Sequence, residues 1–155
     1  MEMKNILIEI PDCEDKKTIN LFKELESLKK QDYLTKDQLP KILHWKSPRP
    51  FSYYNSNNEE DIRNITTLAF STSNDNLKIH ILTALNGVNY PSASTILMFY
   101  DPSNYPVLEI RVWRQLYKAN LVDTNSRGQN FTLKQCETYF QVVRKLSNDL
   151  DLTAR

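Results

Sequence analysis

Leu82-Thr83-Ala84-Leu85-Asn86-Gly87-Val88-Asn89-Tyr90-Pro91-Ser92-Ala93-Ser94-Thr95-Ile96-Leu97 carries more of the fold than any other stretch of this chain. Leu82 and Leu85 stand one helical turn apart, and Gly87-Val88-Asn89 breaks that helix. Pro91 suits the first turn of a second helix, where a missing N–H costs nothing. Ala93, Ile96 and Leu97 then recur at helical spacing. The spacing predicts two short helices over about residues 75–100, joined by a tight turn with an apolar residue at its tip. The chemistry of such a turn lies in its backbone. The first amides of the second helix lack intrahelical partners, and with the helix dipole they make a ready phosphate site. Gly87 takes positive φ at no steric cost, and asparagine is the next most tolerant residue. Gly87, Val88, Asn89, Tyr90 and Ser92 are therefore the candidate phosphate-holding residues. The same spacing also fits an ordinary pair of antiparallel helices with no ligand.

Working outward, the rest of the chain reads as helices too. Two glycines in 155 residues are too few for the tight turns of a sandwich or barrel. Asp12 is a candidate N-cap for a helix to about Lys30, with Ile19, Phe22, Leu25 and Leu28 as its stripe. Thr35 and Gln38 form a capping box for a helix through Trp45, and Ser47-Pro48-Arg49-Pro50 ends it. Phe51–Tyr54 is a short helical turn. Asn57 or Asn58 caps a helix to about Ser71, with Ile62, Ile65, Leu68 and Ala69 facing inward. Asn74 caps the first hairpin helix, carrying Leu77, Leu82 and Leu85. Glu109 opens a helix with Val112, Trp113 and Leu116, and Thr132 with Gln135 caps the last, with Phe140, Val143 and Leu146 on one face. The expected fold is all-α, a compact bundle of about six to seven helices in one domain spanning residues 1–155.

Composition narrows the classes. Forty per cent hydrophobic and 25% charged residues are ordinary for a globular protein. A net charge of +1 argues against coating nucleic acid by bulk electrostatics, so any such binding must use a local basic face. Cys13, Cys136, His44 and His80 are scattered without metal-ligand spacing, so no metal site is expected, and the cysteines read as free thiols of a reducing compartment. The N-terminal apolar run is too short and charged for a signal peptide, and no segment approaches membrane-spanning length. A cytoplasmic protein with no membrane partner is expected.

The segment after the hairpin holds the most specific arrangement. Tyr105-Pro106-Val107-Leu108-Glu109-Ile110-Arg111-Val112-Trp113-Arg114 sets a single acid at the mouth of a helix soon after the phosphate-binding turn. Here the chain resembles the helix-hairpin-helix superfamily of base-excision DNA glycosylases. That superfamily carries Leu-Pro-Gly-Val-Gly-x-Lys-x-Ala followed by Val-Asp-Thr-His-Val-x-Arg. Leu85–Ala93 takes the first pattern and Val107–Arg114 the second. Trp45-Lys46-Ser47-Pro48-Arg49 adds an element similar to one in small uncharacterised bacterial proteins of this kind, and the resemblance covers roughly residues 39–118.

The resemblance implies double-stranded DNA as partner and base-excision repair as setting. It places the catalytic aspartate on Glu109, as a carboxylate that stabilises the sugar cation left when a base departs. Glutamate carries the same charge on one more methylene. The lysine of bifunctional relatives falls on Pro91, which has no amine for a Schiff base, so only monofunctional base removal is implied. The second hairpin glycine is Asn89. No cofactor is implied beyond a monovalent cation at the hairpin. Arg111, Arg114, Lys46 and Arg49 are the candidate contacts to flanking phosphates.

Plainer readings stand beside these. A carboxylate in a helix first turn is favoured by the dipole with no catalytic duty, and Arg111 or Arg114 could pair with it. Trp45 reads more readily as core than as a stacking platform. Phe51, Tyr53, Tyr54 and Tyr90 are aromatic enough for a flipped-base pocket, or are simple filler. The alternative function is a catalytically inert module that binds a protein partner or a DNA structure.

Overall fold

The computed structural model describes residues 15–48 and 51–155. Every regular element among them is helical: α1 (Lys16–Glu24), α2 (Leu28–Gln31), α3 (Gln38–Lys46), α4 (Phe51–Asn55), α5 (Glu59–Ser71), α6 (Asp75–Leu82), α7 (Tyr90–Tyr100), α8 (Ile110–Lys118) and α9 (Leu133–Leu150). The all-α expectation is met, with nine helices among the described residues rather than six or seven.

The architecture is organised around α7. Every residue from Ser92 to Phe99 is buried, as expected of a helix that is apolar all round. Helices α2, α3 and α6 pack on it, α5 and α9 pack on α6, and α4 packs on α3. The buried side chains form one cluster running from Leu25 through Ile42, Ile79 and Ile96 to Trp113 and Phe140.

Local chemistry explains most element boundaries. Thr35 and Gln38 exchange both bonds of the expected capping box (3.0 and 3.3 Å), as do Thr132 and Gln135 (3.0 and 3.2 Å). Asn58 caps α5 by accepting from the Asp61 amide, and Asn74 caps α6 through Leu77. The expected helix from Asp12 to Lys30 is different. Its described start is capped by Asp15, which accepts from the Thr18 amide at 2.7 Å, and Asp12 lies outside the described residues, as does Cys13. The chain then leaves the α-helix after Glu24. A tighter bond from the Leu28 amide to the Leu25 carbonyl (2.9 Å) lines up residues three apart, which lets Leu25 and Leu28 both enter the core.

Four residues assigned to the core face outward: Ile19, Leu68, Leu77 and Val112 are 38%, 59%, 50% and 41% exposed. In α5 the buried face is set by Ile62, Thr66, Ala69 and Phe70, and Leu68 falls off its edge. In α6 the buried positions are Lys78, Ile79 and Leu82. Cys136 is a buried free cysteine whose thiol burial pushes up to about 12. No helix among the described residues is long and apolar enough to cross a membrane.

Candidate nucleic-acid interface

The turn between α6 and α7 is wound by short-range bonds, Ala84 N–H to Ile81 O (3.0 Å), Leu85 N–H to Leu82 O and Val88 N–H to Leu85 O (3.2 Å each). Gly87 sits at φ +78°, and a Cβ built there would lie 3.0 Å from both Tyr53 Cβ and the Tyr54 ring. Glycine is thus required twice, by backbone angle and by space. The turn is also held from outside. Buried Asn57 accepts from the Asn86 amide through Oδ1 (2.7 Å) and donates through Nδ2 to the carbonyls of Asn86 and Tyr54 (3.1 Å each). Sequence reading took Asn57 only as an alternative cap. The available signal was the Asn57-Asn58 pair, of which a helix needs one.

The amides at the start of α7 divide into two groups. Asn89 caps the helix, its side chain accepting from Ser92 N–H at 3.0 Å and its carbonyl from Ala93 N–H at 2.8 Å. Ser92 is buried and its amide is occupied, so its expected phosphate contact is not available; Val88 is likewise buried with its amide bonded. The amides of Gly87, Asn89 and Tyr90 have no hydrogen bond among the described residues. An open recess of about 330 Å³ lies beside Asn89 and Tyr90, lined by these and Pro91 on one side and by Ile110 and residues 128–131 on the other. A cation at this turn would use the carbonyls of Leu85 and Asn86. Each already accepts one bond and keeps a second lone pair.

Glu109 occupies the N-cap position of α8 but makes no capping bond. Its carboxylate is ion-paired with Lys46 at the end of α3; the lysine side chain is 14% exposed and the glutamate 44%. The pair therefore commits both a candidate catalytic residue and a candidate phosphate contact to each other. The neighbouring chain is fixed to the core by Leu108 N–H donating to Ser94 Oγ and Tyr139 Oη donating to Val107 O (2.8 Å each). Arg111 and Arg114 do not pair with Glu109. Arg114 Nε donates to the Arg127 carbonyl at 2.8 Å, and Arg111 has no ion-pair partner among the described residues.

Helix α8 buries Trp113 and Leu116, so Arg111, Arg114 and Lys118, at helical spacing, lie on its opposite side. It contains no acid. Trp113 Nε1 donates to the Asn125 carbonyl (2.9 Å), which with the Arg114 bond fastens the loop carrying Arg127 against α8. Arg114 and Arg127 thus lie beside the loop wall of the recess, and Arg111 and Lys118 lie further round the exposed side of α8. Lys118 and Arg127 were missed in the sequence because neither belongs to a motif.

Compared with protein-family models, with curated proteins and with solved structures, the chain matches none. The helix-hairpin-helix resemblance rests on its sequence motifs.

The remaining candidates separate. Trp45 is 37% exposed, its Nε1 donates to Thr18 Oγ1 at 2.9 Å, and its ring meets Phe99 edge-on at 5.3 Å, so it is a partly covered packing residue. Tyr54 is buried, and that burial raises its pKa. Tyr53 is exposed, and the Tyr90 hydroxyl bonds His80 Nδ1 at 2.9 Å. These three rings do not line one pocket. Arg49 lies outside the described residues, and for Phe51 only the backbone is described.

Proposed function

We propose that this chain is a DNA-binding helix-hairpin-helix domain that grips the phosphate backbone of a duplex and performs no base excision. One observation carries the reading: the unbonded amides of Asn89 and Tyr90 border an open recess, and the loop that forms its other wall carries Arg127 next to Gly128 and is bonded to Arg114. Oriented amides, a helix dipole and nearby guanidinium groups all favour the same ligand, a phosphate. The ligand is sequence-independent on this account, since amides, dipole and guanidinium groups all address the phosphate backbone. Glu109 is structural, because a half-exposed carboxylate already neutralised by an ammonium has little field left for a sugar cation. A reducing, cytoplasmic location fits the free buried thiol of Cys136.

The test is duplex binding by fluorescence anisotropy across a salt series. Wild-type log K falls linearly with log salt, and Arg111→Gln flattens the slope by about 0.9. Binding that is absent at low salt, or a slope that Arg111→Gln leaves unchanged, overturns the phosphate grip. Release of a base from a lesion panel by the wild type, lost in Glu109→Gln, overturns the inert assignment.

A further inference from the structure

Helix α8 separates two different surfaces. Ile110 borders the recess described above, and Val112, about 200° further round the helix, borders an apolar groove on the other side. The groove consists of two hollows of about 310 and 360 Å³ that share Val112, Val143, Ala154 and Arg155. It runs from Phe22 and Trp45 between α8 and α9 to Leu121 and Leu152. Four of the large apolar side chains most exposed in the described structure line it: Trp45 (37%), Val112 (41%), Leu121 (40%) and Leu152 (55%). A contiguous apolar surface of this kind marks an interaction site rather than scattered exposure.

Shape and charge specify the occupant. The surface is concave between two helices, so a second copy presenting the same concave face would leave it unfilled. A convex apolar ridge fits, as on a helix with large residues at i, i+3 or i+4, and i+7. The α8 wall presents Gln115 to the groove, with Arg111 one turn before it and Lys118 one turn after. Neither cation has an ion-pair partner among the described residues. Arg155 lies at the junction of the two hollows, its guanidinium 4.3 Å above the Phe22 ring. Arg111 and Lys118 stand at the rim, outside the lining itself, and with Arg155 in the groove they select acidic residues on the flank facing α8. We propose that this groove receives an amphipathic helix from a partner polypeptide, apolar on one face and acidic along the edge that meets α8.

Three labelled peptides of about 18 residues, five helical turns, test this against the full chain by fluorescence anisotropy. One carries leucines at the stated spacing with glutamate flanks, one has lysine flanks, and one is a scramble of the first. The glutamate peptide is expected to bind about ten-fold or more tightly than the other two. Val112→Glu removes that binding, and Lys118→Glu reverses the preference between glutamate and lysine flanks. Both changes are at exposed positions, and thermal melts of each variant confirm folding. Equal binding of the scramble, no effect of Val112→Glu, or an unchanged preference in Lys118→Glu overturns the proposal. So does no peptide binding at all, and so does a concentration-dependent dimer by sedimentation that Val112→Glu dissociates.

Discussion

Lys46 at the end of α3 and Glu109 at the mouth of α8 are an ion pair formed across 63 positions of sequence. It joins two helices far apart in sequence, and it decides how the most conspicuous acid in the chain is to be read.

With the glutamate nearly half exposed, the pair is screened and contributes modestly. A double-mutant cycle on Glu109→Gln and Lys46→Gln, followed by urea unfolding, is expected to give a coupling of about 0.5 kcal/mol. Glu109→Gln also removes a negative charge beside the basic flank, so duplex affinity at low salt rises. A fall in affinity contradicts the phosphate-binding reading.

Asn57→Ala leaves the Asn86 amide and carbonyl without their buried partner. The expected loss is about 1–3 kcal/mol, against about 1 kcal/mol for removing the α5 cap with Asn58→Ala. Chemical denaturation of the two variants side by side checks the order. Equal losses would mean that the turn holds its shape without the clamp.

Gly87→Ala meets both a positive φ and contacts of 3.0 Å to Tyr53 Cβ and the Tyr54 ring. It is expected to cost more than about 1 kcal/mol and to weaken duplex binding with it. Gly128→Ala is the control, since its Cβ would meet atoms no closer than 3.3 Å, though φ is +63°. Thermal melts of both variants should rank Gly87→Ala as the more damaging.

Asp101 supplies a pH test. Burial alone would raise its pKa, but hydrogen bonds from Asn104 and Lys29 (2.9 Å each) outweigh that and hold it below the usual carboxylate value. A folded-state pKa below the unfolded one means stability present above the unfolded value and lost as pH falls through the folded one. Asp101→Asn should therefore lower stability at pH 7 by about 1 kcal/mol. The gap to wild type should close as pH drops below about 3.9. A gap that persists in strong acid refutes the ion-pair origin.

What was legible in the sequence was local. The capping boxes at Thr35–Gln38 and Thr132–Gln135 and the caps at Asn58 and Asn74 depend on residues three apart, so spacing alone finds them. The apolar run of α7 announces its burial in the same way. The Asn89 cap of Ser92 was equally local but was read as turn chemistry, which wrongly left the Ser92 amide open. Ile19, Leu68, Leu77 and Val112 were misplaced because the buried face of a short helix is chosen by its neighbours, which periodicity does not contain. The Asn57 clamp and the Lys46–Glu109 pair join residues 29 and 63 positions apart, beyond any motif.

One half of the recess is built from the same helix that forms the centre of the core. The wall supplied by Asn89–Pro91 cannot be reshaped without repacking everything around α7, so it is the invariant jaw of the vice. The opposing jaw, the loop of residues 128–131, is fastened to α8 by Trp113 and Arg114 and anchored in the core by Phe131, with only Gln129 and Asn130 exposed. Diversification of what this corner grips is therefore open only to insertions and exchanges in that loop.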